Sequence, residues 1–231
     1  MTMPHAPVGS AEWKSLIIEG AKALGICLNQ DTADQFAVHA LELLKWNRKI
    51  NLTAITDPLD IAVKHFLDSL VPSLMIHQGT SMLDIGSGGG FPGIPLKILM
   101  PSLSVTLADA SLKKVNFQKQ VIRSLNLRDI EAVHARAEDM PRDPKFANAF
   151  DVIICRAFSA LDVFAETALP LLAENGTIAA LKGKLSGKEI ESAHIRIGKV
   201  RFESEVKTYL LPYLGAERAM VSFKSRISLP S

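Results

Sequence analysis

Apolar positions in the first 75 residues recur at helical spacing. Residues 11–26, AEWKSLIIEGAKALGI, place Trp13, Leu16, Ile17, Ala21 and Leu24 on one face, and residues 31–51, DTADQFAVHALELLKWNRKIN, do the same with Phe36, Ala40, Leu41 and Leu44. Asp31 is the expected N-cap of that second helix. A third helix is predicted over LDIAVKHFLDSLVP (59–72), begun near Asp57-Pro58 and closed by Pro72. From residue 81 short apolar runs alternate with amphipathic ones. Strands are expected at SMLDIG, SVTLADA, DIEAVHA, FDVIICRA and GTIAALKG. Helices are expected at PGIPLKILM, SLKKVNFQKQVIRSLNL, ALDVFAETALPLLAE and, briefly, KEIESAHIR. VRFESEVKTYL and ERAMVSFKS then read as a closing hairpin.

This alternation predicts an α/β fold with a doubly wound, mostly parallel sheet, in which the closing hairpin places one antiparallel strand. The expected organisation is an N-terminal helical segment, residues 1–75, joined to a Rossmann-like core, residues 76–231, as one compact unit. At 231 residues, 48% hydrophobic, the chain is long enough for a substantial core. No apolar run reaches the roughly 20 residues of a membrane span, and the first residues, MTMPHAPVGSAEW, lack the pattern of a secretory signal; a cytoplasmic location is expected. Cys27 and Cys155 lie far apart and without a CxxC partner, which favours buried thiols over a disulfide or a zinc site, and no metal is expected. A net charge of +2 neither demands nor excludes a nucleic-acid partner. The basic residues are nevertheless clustered. Lys113, Lys114, Lys119, Arg123 and Arg128 share one stretch without an acid, and Lys182, Lys184 and Lys188 follow in KGKLSGK. Such a run is either a solvated helix face or a phosphate-binding surface.

The stretch LDIGSGGGFPGIPLK (83–97) joins the first strand to its helix, where doubly wound sheets bind ligands. A dinucleotide fingerprint fits only as Gly88-x-Gly90-x-x-Gly93; from Gly86 it fails, because Phe91 stands where glycine is needed. Asp84 discriminates further. A pyrophosphate brings negative charge to this turn and a neighbouring carboxylate repels it. S-adenosylmethionine (AdoMet) brings a cationic sulfonium and ammonium instead, which suit Asp84. Gly86 and Gly88 then line the cofactor, and Asp109, ending the second strand, is placed for the ribose hydroxyls. Glu138 and the backbone near Ala137 are placed for the adenine edge. The plainer alternative makes Asp84 or Asp109 a helix cap and the glycines a tight turn. The order of strand, acid, glycine loop and second acid favours a class I AdoMet-dependent methyltransferase, a pattern that leaves the acceptor unnamed.

Six further stretches occur in order: WNRKINLTAITDP (46–58), KHFLDSL (64–70), GSGGGFPGIPLKI (86–98), ADASLKKVNFQK (108–119), CRAFSAL (155–161) and ALKGK (180–184). Together they resemble the bacterial 16S ribosomal RNA guanine-N7 methyltransferases, the glucose-inhibited division protein B family, over about residues 36–226. The most specific marks are NLT, H-x-x-DS, GFPGIPL, RAF and LKGK. The resemblance implies methyl transfer from AdoMet, with S-adenosylhomocysteine as product, to one guanine N7 of 16S RNA. The substrate is expected as a 30S subunit or assembly intermediate, and the enzyme as a monomer. It also implies that Gly86, Phe91, the Ala137–Glu138 pair and Arg156 contact the cofactor, and that His65 and Asp68 lie over the catalytic face. Gly89 stands where many relatives have proline.

Guanine N7 carries an in-plane lone pair and no proton, so its methylation needs alignment and no general base. The N-P-P-[YF] loop that serves exocyclic amines is absent. Arg156 is a candidate for guanine O6 or the cofactor carboxylate, and Lys182 and Lys184 for phosphate; Lys182 joins Arg156, His65 and Asp68 in the expected catalytic set. Lys113, Lys114, Arg123 and Arg128, with Lys184, are the expected RNA-binding residues. Each also has an ordinary reading: His65 as a boundary residue, Asp68 as the i,i+4 partner of Lys64, Arg156 as an ion-pair partner, and Trp46 as filling between helices and sheet. Two further functions compete: a class I methyltransferase for another RNA site, a small molecule or a protein, and a non-catalytic ribosome-binding factor. An aromatic content of 6% speaks against an aromatic-lined small-molecule pocket, and the intact Asp84–glycine–Asp109 set against lost catalysis.

Overall fold

The computed structural model describes residues 6–156, 160–185, 196–197 and 200–226. Two helices open the chain, α1 (Ala11–Ala23), capped by Ser10, and α2 (Gln30–Asn47). The cap of α2 is Asn29, whose side chain accepts from the Thr32 amide; Asp31 lies inside the first turn, where its charge suits the helix dipole. Asp57 caps a third helical run, α3, through Pro58–Asp60, a π-helical stretch Ile61–Leu67, Asp68–Leu70 and a closing 3-10 turn Val71–Leu74. α1 lies on α3 at Gly20, where an added Cβ would sit 2.4 Å from Leu67. The Trp13 indole N–H donates to the Pro58 carbonyl at 2.9 Å.

The core alternates strand and helix: β1 (Ser81–Ile85), α4 (Gly93–Leu99), β2 (Ser104–Asp109), α5 (Leu112–Ser124), β3 (Ile130–His134), a 3-10 turn Ala137–Arg142, β4 (Phe150–Arg156), α6 (Leu161–Ala168) and β5 (Leu172–Lys182). β6 (Arg196–Ile197), β7 (Val200–Leu210) and β8 (Glu217–Arg226) follow. Strand order is β3-β2-β1-β4-β5-β8-β7-β6. β1 to β5 are mutually parallel, and β8 enters antiparallel between β5 and β7, as the closing hairpin predicts. The short β6 adds a second reversed strand at the edge.

Two boundaries differ from expectation. α6 stops at Ala168 and a 3-10 turn carries Pro170, so Leu172–Glu174 leave the predicted helix and start β5. Proline has no N–H to continue the helix, and a bulge between Phe150↔Leu172 and Val152↔Thr177 absorbs the extra residues. Of the helix expected over KEIESAHIR, residues 188–195 lie outside the described residues and Arg196 belongs to β6.

Side chains alternate across the sheet. Met82, Leu107 and Ile154 pack under α1 to α5 in one apolar cluster that includes Trp13, Phe36 and Phe66. Leu83, Ala108, Ile153 and Phe223 form the other with Phe164. The N-terminal helices therefore share a core with the sheet and hold α3 over its carboxyl edge.

Candidate functional site

The loop after β1 turns back under three positive-φ glycines, Gly86 (+69°), Gly88 (+56°) and Gly90 (+81°). Gly86 and Ser87 amides donate to the Ala108 carbonyl, and Phe91 to Ser87, so the loop is fastened to β2 and to itself. A Cβ at Gly86 would meet nothing within 4 Å, which leaves an open cradle over the backbone, whereas one at Gly93 would lie 2.3 Å from Leu107. The glycines thus serve both close approach and close packing.

Asp84 lies beneath this cradle, fully buried. Its Oδ2 accepts the Gly93 amide at 2.8 Å; the N-cap position of α4 is Pro92, so Asp84 serves the first amide of that helix from the neighbouring strand. Oδ1 has no hydrogen-bond partner among the described residues. Burial pushes the carboxyl up to about 7, against the Gly93 amide and Arg156, while Asp109 adds to the rise. A buried carboxylate oxygen without a partner is costly unless a donor or cation completes it, which fits the ammonium and sulfonium of AdoMet. Asp109 accepts from the Gly88 amide at 2.9 Å and the Ser111 amide at 2.8 Å, one on each oxygen. Each oxygen keeps a second lone pair for a hydroxyl. Ala137, buried, and Glu138, exposed, open the 3-10 turn after β3.

Phe91 does not present its ring to this cradle. The ring is 3% exposed and lies between His39 and His65, each stacked at 4.6 Å between centroids. Only its main chain can reach a ligand over the loop. His39, buried on α2, makes a 2.8 Å hydrogen bond from Nε2 to the Gly89 carbonyl, and Gln118 on α5 donates to Ser87 Oγ and the Gly88 carbonyl. The sequence reading missed both; the available signal was a polar residue at the core-facing positions of two amphipathic helices.

Arg156 ends β4 and reaches under α3. Its guanidinium donates to the Lys64 carbonyl (2.9 Å) and to His65 Nδ1 (3.0 Å), and stands 5.1 Å from the Phe91 ring centre. Arginine only donates, so His65 Nδ1 is an acceptor and the ring proton sits on Nε2, which bonds Thr53 Oγ1 at 2.9 Å. Burial first, then the Arg156 charge, bring the His65 pKa down to about 3. His65 is therefore neutral and both nitrogens are engaged. Thr53, from the NLT motif, was also missed as a site residue.

Asp68 does not pair with Lys64, which bonds Asp60 at 2.7 Å instead. The π-helical stretch turns Asp68 inward, where Tyr209 Oη donates to it at 2.7 Å and Arg218 Nε lies 3.9 Å away. Burial raises its pKa, opposed by Tyr209, Arg156 and Arg218. Tyr209 and Arg218 lie more than 140 residues downstream, beyond any local sequence signal.

Lys182 ends β5 opposite Ala219. Lys184 follows, exposed, in an ion pair with Glu217 at 2.7 Å. The basic set on α5 is divided. Lys113 and Lys114 start the helix beside Asp109, with Lys114 Nζ 4.0 Å from its carboxylate. Arg123 ends the helix and Arg128 follows it, roughly 15 Å along the axis toward the other sheet edge. Ala157, Phe158 and Ser159 of the CRAFSAL stretch lie outside the described residues.

Comparison with known proteins bears on the same residues. Residues 32–213 match the family model described as rRNA small subunit methyltransferase G. A curated relative from Thermoanaerobacter sp. (strain X514), named ribosomal RNA small subunit methyltransferase G, is 40% identical over 94% of this chain and 91% of its own. A second of the same name, from Geobacter metallireducens, is 43% identical over 91% of this chain and 95% of its own. Among solved structures, a SAM-dependent methyltransferase from Aquifex aeolicus superposes with a TM-score of 0.56 at 16% identity, covering 80% of this chain and 97% of that one. TYW2 from M. jannaschii, solved in complex with AdoMet, gives 0.53 at 16% identity, covering 69% of this chain and 74% of that one. The fold is that of the class I AdoMet-dependent methyltransferases.

Proposed function

From the premise that this chain belongs to the rRNA small subunit methyltransferase G family, we propose that it methylates N7 of one guanine in 16S ribosomal RNA. It is an AdoMet-dependent enzyme acting on small-subunit ribosomal RNA; the N7 position, the 30S context, the monomeric state and the cytoplasmic location are the finer part of the proposal. Among the described residues no helix is long and apolar enough to cross a membrane, and no His/Cys/Asp/Glu group is arranged to hold a metal.

The residues present fit the cofactor. Gly86 and Gly88 give the cradle, Asp84 Oδ1 the unmatched acceptor beneath it, Asp109 the ribose contacts, and the Ala137–Glu138 turn the adenine edge. AdoMet supplies an electrophilic methyl on a sulfonium. The chain's own task is to hold the guanine so that N7, methyl and sulfur align, and Arg156 is the group for O6 or the cofactor carboxylate.

The observation that carries the N7 reading is the state of His65. A neutral imidazole with one nitrogen on Arg156 and the other on Thr53 has no lone pair free to take a proton from an acceptor. An exocyclic amine or a hydroxyl would need such a base; N7 does not. The test is methyl transfer from labelled AdoMet to small-subunit particles from cells lacking the gene, followed by nucleoside analysis. One 7-methylguanosine per particle is expected, with a single-turnover rate at saturating AdoMet flat across roughly pH 6–9. Methylation of an amine or ribose hydroxyl, or a rate rising tenfold per pH unit and abolished by His65→Gln, would overturn it.

A further inference from the structure

A groove of about 630 Å³ runs along the flank of the molecule, outside the glycine loop, between the end of α2, the exposed face of α5 and the edge strand β3. Its lining includes Trp46, Ile122 and Ile130 as apolar surface and Lys119, Arg123 and Asn116 as polar rim. Trp46 is half-buried and braced from behind by Phe117, with ring centres 5.8 Å apart. It is thus a rigid aromatic surface that also fills the seam between helix and sheet. Lys119 and Arg123 are exposed and form no ion pair among the described residues; Arg123 bonds only Gln120. Arg48 and Lys49, also exposed, follow Trp46 after one residue, Asn47. The acid in the groove, Glu131, is neutralised by Lys145 at 2.7 Å.

We propose that this groove is a second RNA contact, holding an unpaired nucleotide of the ribosomal RNA with its base on Trp46 and the flanking phosphates on Lys119 and Arg123. The inference rests on the reading of ribosomal RNA as substrate, and adds a base-binding site where the basic residues alone offered only phosphate contacts. The chemistry selects this occupant. An aromatic surface rimmed by unpaired cations matches the stacked base and phosphate pair of a single strand, and stacking tolerates any base. A duplex presents its bases already stacked and would leave Trp46 unused.

Tryptophan fluorescence tests this on the full chain, because the protein has two tryptophans and Trp13 is fully buried. Iodide quenching therefore reports on Trp46. The probe is a twelve-nucleotide single-stranded oligouridylate. Binding is expected to quench Trp46 and shield it from iodide. Lys119→Ala/Arg123→Ala is expected to weaken binding at least tenfold at low salt and to lower the salt slope by about 1.4, two single-strand phosphate contacts. Affinity for S-adenosylhomocysteine, measured by calorimetry, stays at the wild-type value and confirms an intact fold. The proposal is overturned if the oligonucleotide binds while Trp46 keeps its emission and iodide access, or if the double variant binds like the wild type. Should the wild-type protein methylate small-subunit particles while the groove stays silent, the groove alone fails. Should it neither bind RNA nor methylate it, the substrate reading fails and the groove with it.

Discussion

Asp84 and Thr53 show how single atoms set the site's chemistry. The Asp84 carboxyl, at about 7 in the fold, ionises near 4 in the unfolded chain. Between those values the folded state holds a proton that the unfolded state has lost, so stability falls as pH rises through about 4 to 7. Asp84→Asn should remove that slope and raise Tm at pH 8 by roughly 3–6 °C, from an order of 1–2 kcal/mol of relieved desolvation. The same variant should weaken AdoMet binding about tenfold or more, because the buried oxygen proposed to meet the cation no longer carries charge. Thermal melts across pH and calorimetry with AdoMet measure both; an unchanged affinity would leave Asp84 as a helix cap only. Thr53 acts one step further from the substrate. Its Oγ1 accepts the His65 Nε2 proton and so keeps Nδ1 as the acceptor for Arg156. Thr53→Val should strand that proton, at about 1–3 kcal/mol, and slow methyl transfer roughly 5- to 100-fold. Thr53→Ser should restore the rate. Nitrogen NMR of the imidazole should show Nε2–H in all three proteins, because Arg156 can only donate to Nδ1. The Nε2 proton should lose its hydrogen-bonded shift in the valine variant and recover it in the serine variant; a slowed rate with that shift unmoved would assign Thr53 a purely structural role. The tautomer lies outside what sequence can show, since Thr53 and His65 are near in sequence but Arg156 is 91 residues away.

At the scale of elements, the strands and helices were legible because each is amphipathic at its own period. β1 to β4 fall where the apolar runs place them, and the glycine loop sits at the end of β1. The misread end of α6 has two causes, Pro170, which cannot continue the helix, and tertiary pairing, which draws Leu172 into the sheet beside Phe150. The π-helical stretch Ile61–Leu67 had no sequence mark at all, although it rotates Asp68 away from Lys64 and toward Tyr209. That contact ties the β7–β8 hairpin to α3, since Tyr209 and Arg218 are cross-strand partners and both face Asp68. Tyr209→Phe should leave a buried carboxylate oxygen without its donor and cost about 1–3 kcal/mol, a Tm loss of roughly 3–10 °C. Asp68→Asn/Tyr209→Phe should lose less than the two single variants summed, as expected of one coupled contact. Additive losses in denaturant melts would mean that hairpin and helix are held by apolar packing alone.

Across the whole molecule, the fold and the proposed cofactor site follow from the chain order of strand, acid, glycines and second acid, whereas the residues proposed around the acceptor do not. The residues proposed to hold the cofactor, Asp84, Gly86, Gly88 and Asp109, come from adjacent strands or the loop between them and are close in sequence. The proposed acceptor side gathers Thr53 from the loop before α3 and His65, Asp68, Arg156, Tyr209 and Arg218 from four separate elements, and only the assembled sheet brings them together. The proposed cofactor site also adjoins the junction between the N-terminal helices and the core, because His39 and Phe91 connect α2 to the glycine loop. A ligand seated there should therefore stabilise the entire chain. AdoMet at a hundredfold excess over its Kd adds about 2.7 kcal/mol to the native state, which for a chain of this size is a Tm rise of roughly 5–11 °C. S-adenosylhomocysteine, which keeps the ammonium and ribose but lacks the sulfonium charge, should also raise Tm. NAD and FAD should leave it unchanged, since their pyrophosphate would meet Asp84. Differential scanning calorimetry at matched ligand excess decides it. The transition should move as one peak, and a shift confined to part of the heat absorption would mean that residues 1–75 unfold separately from the sheet they cover.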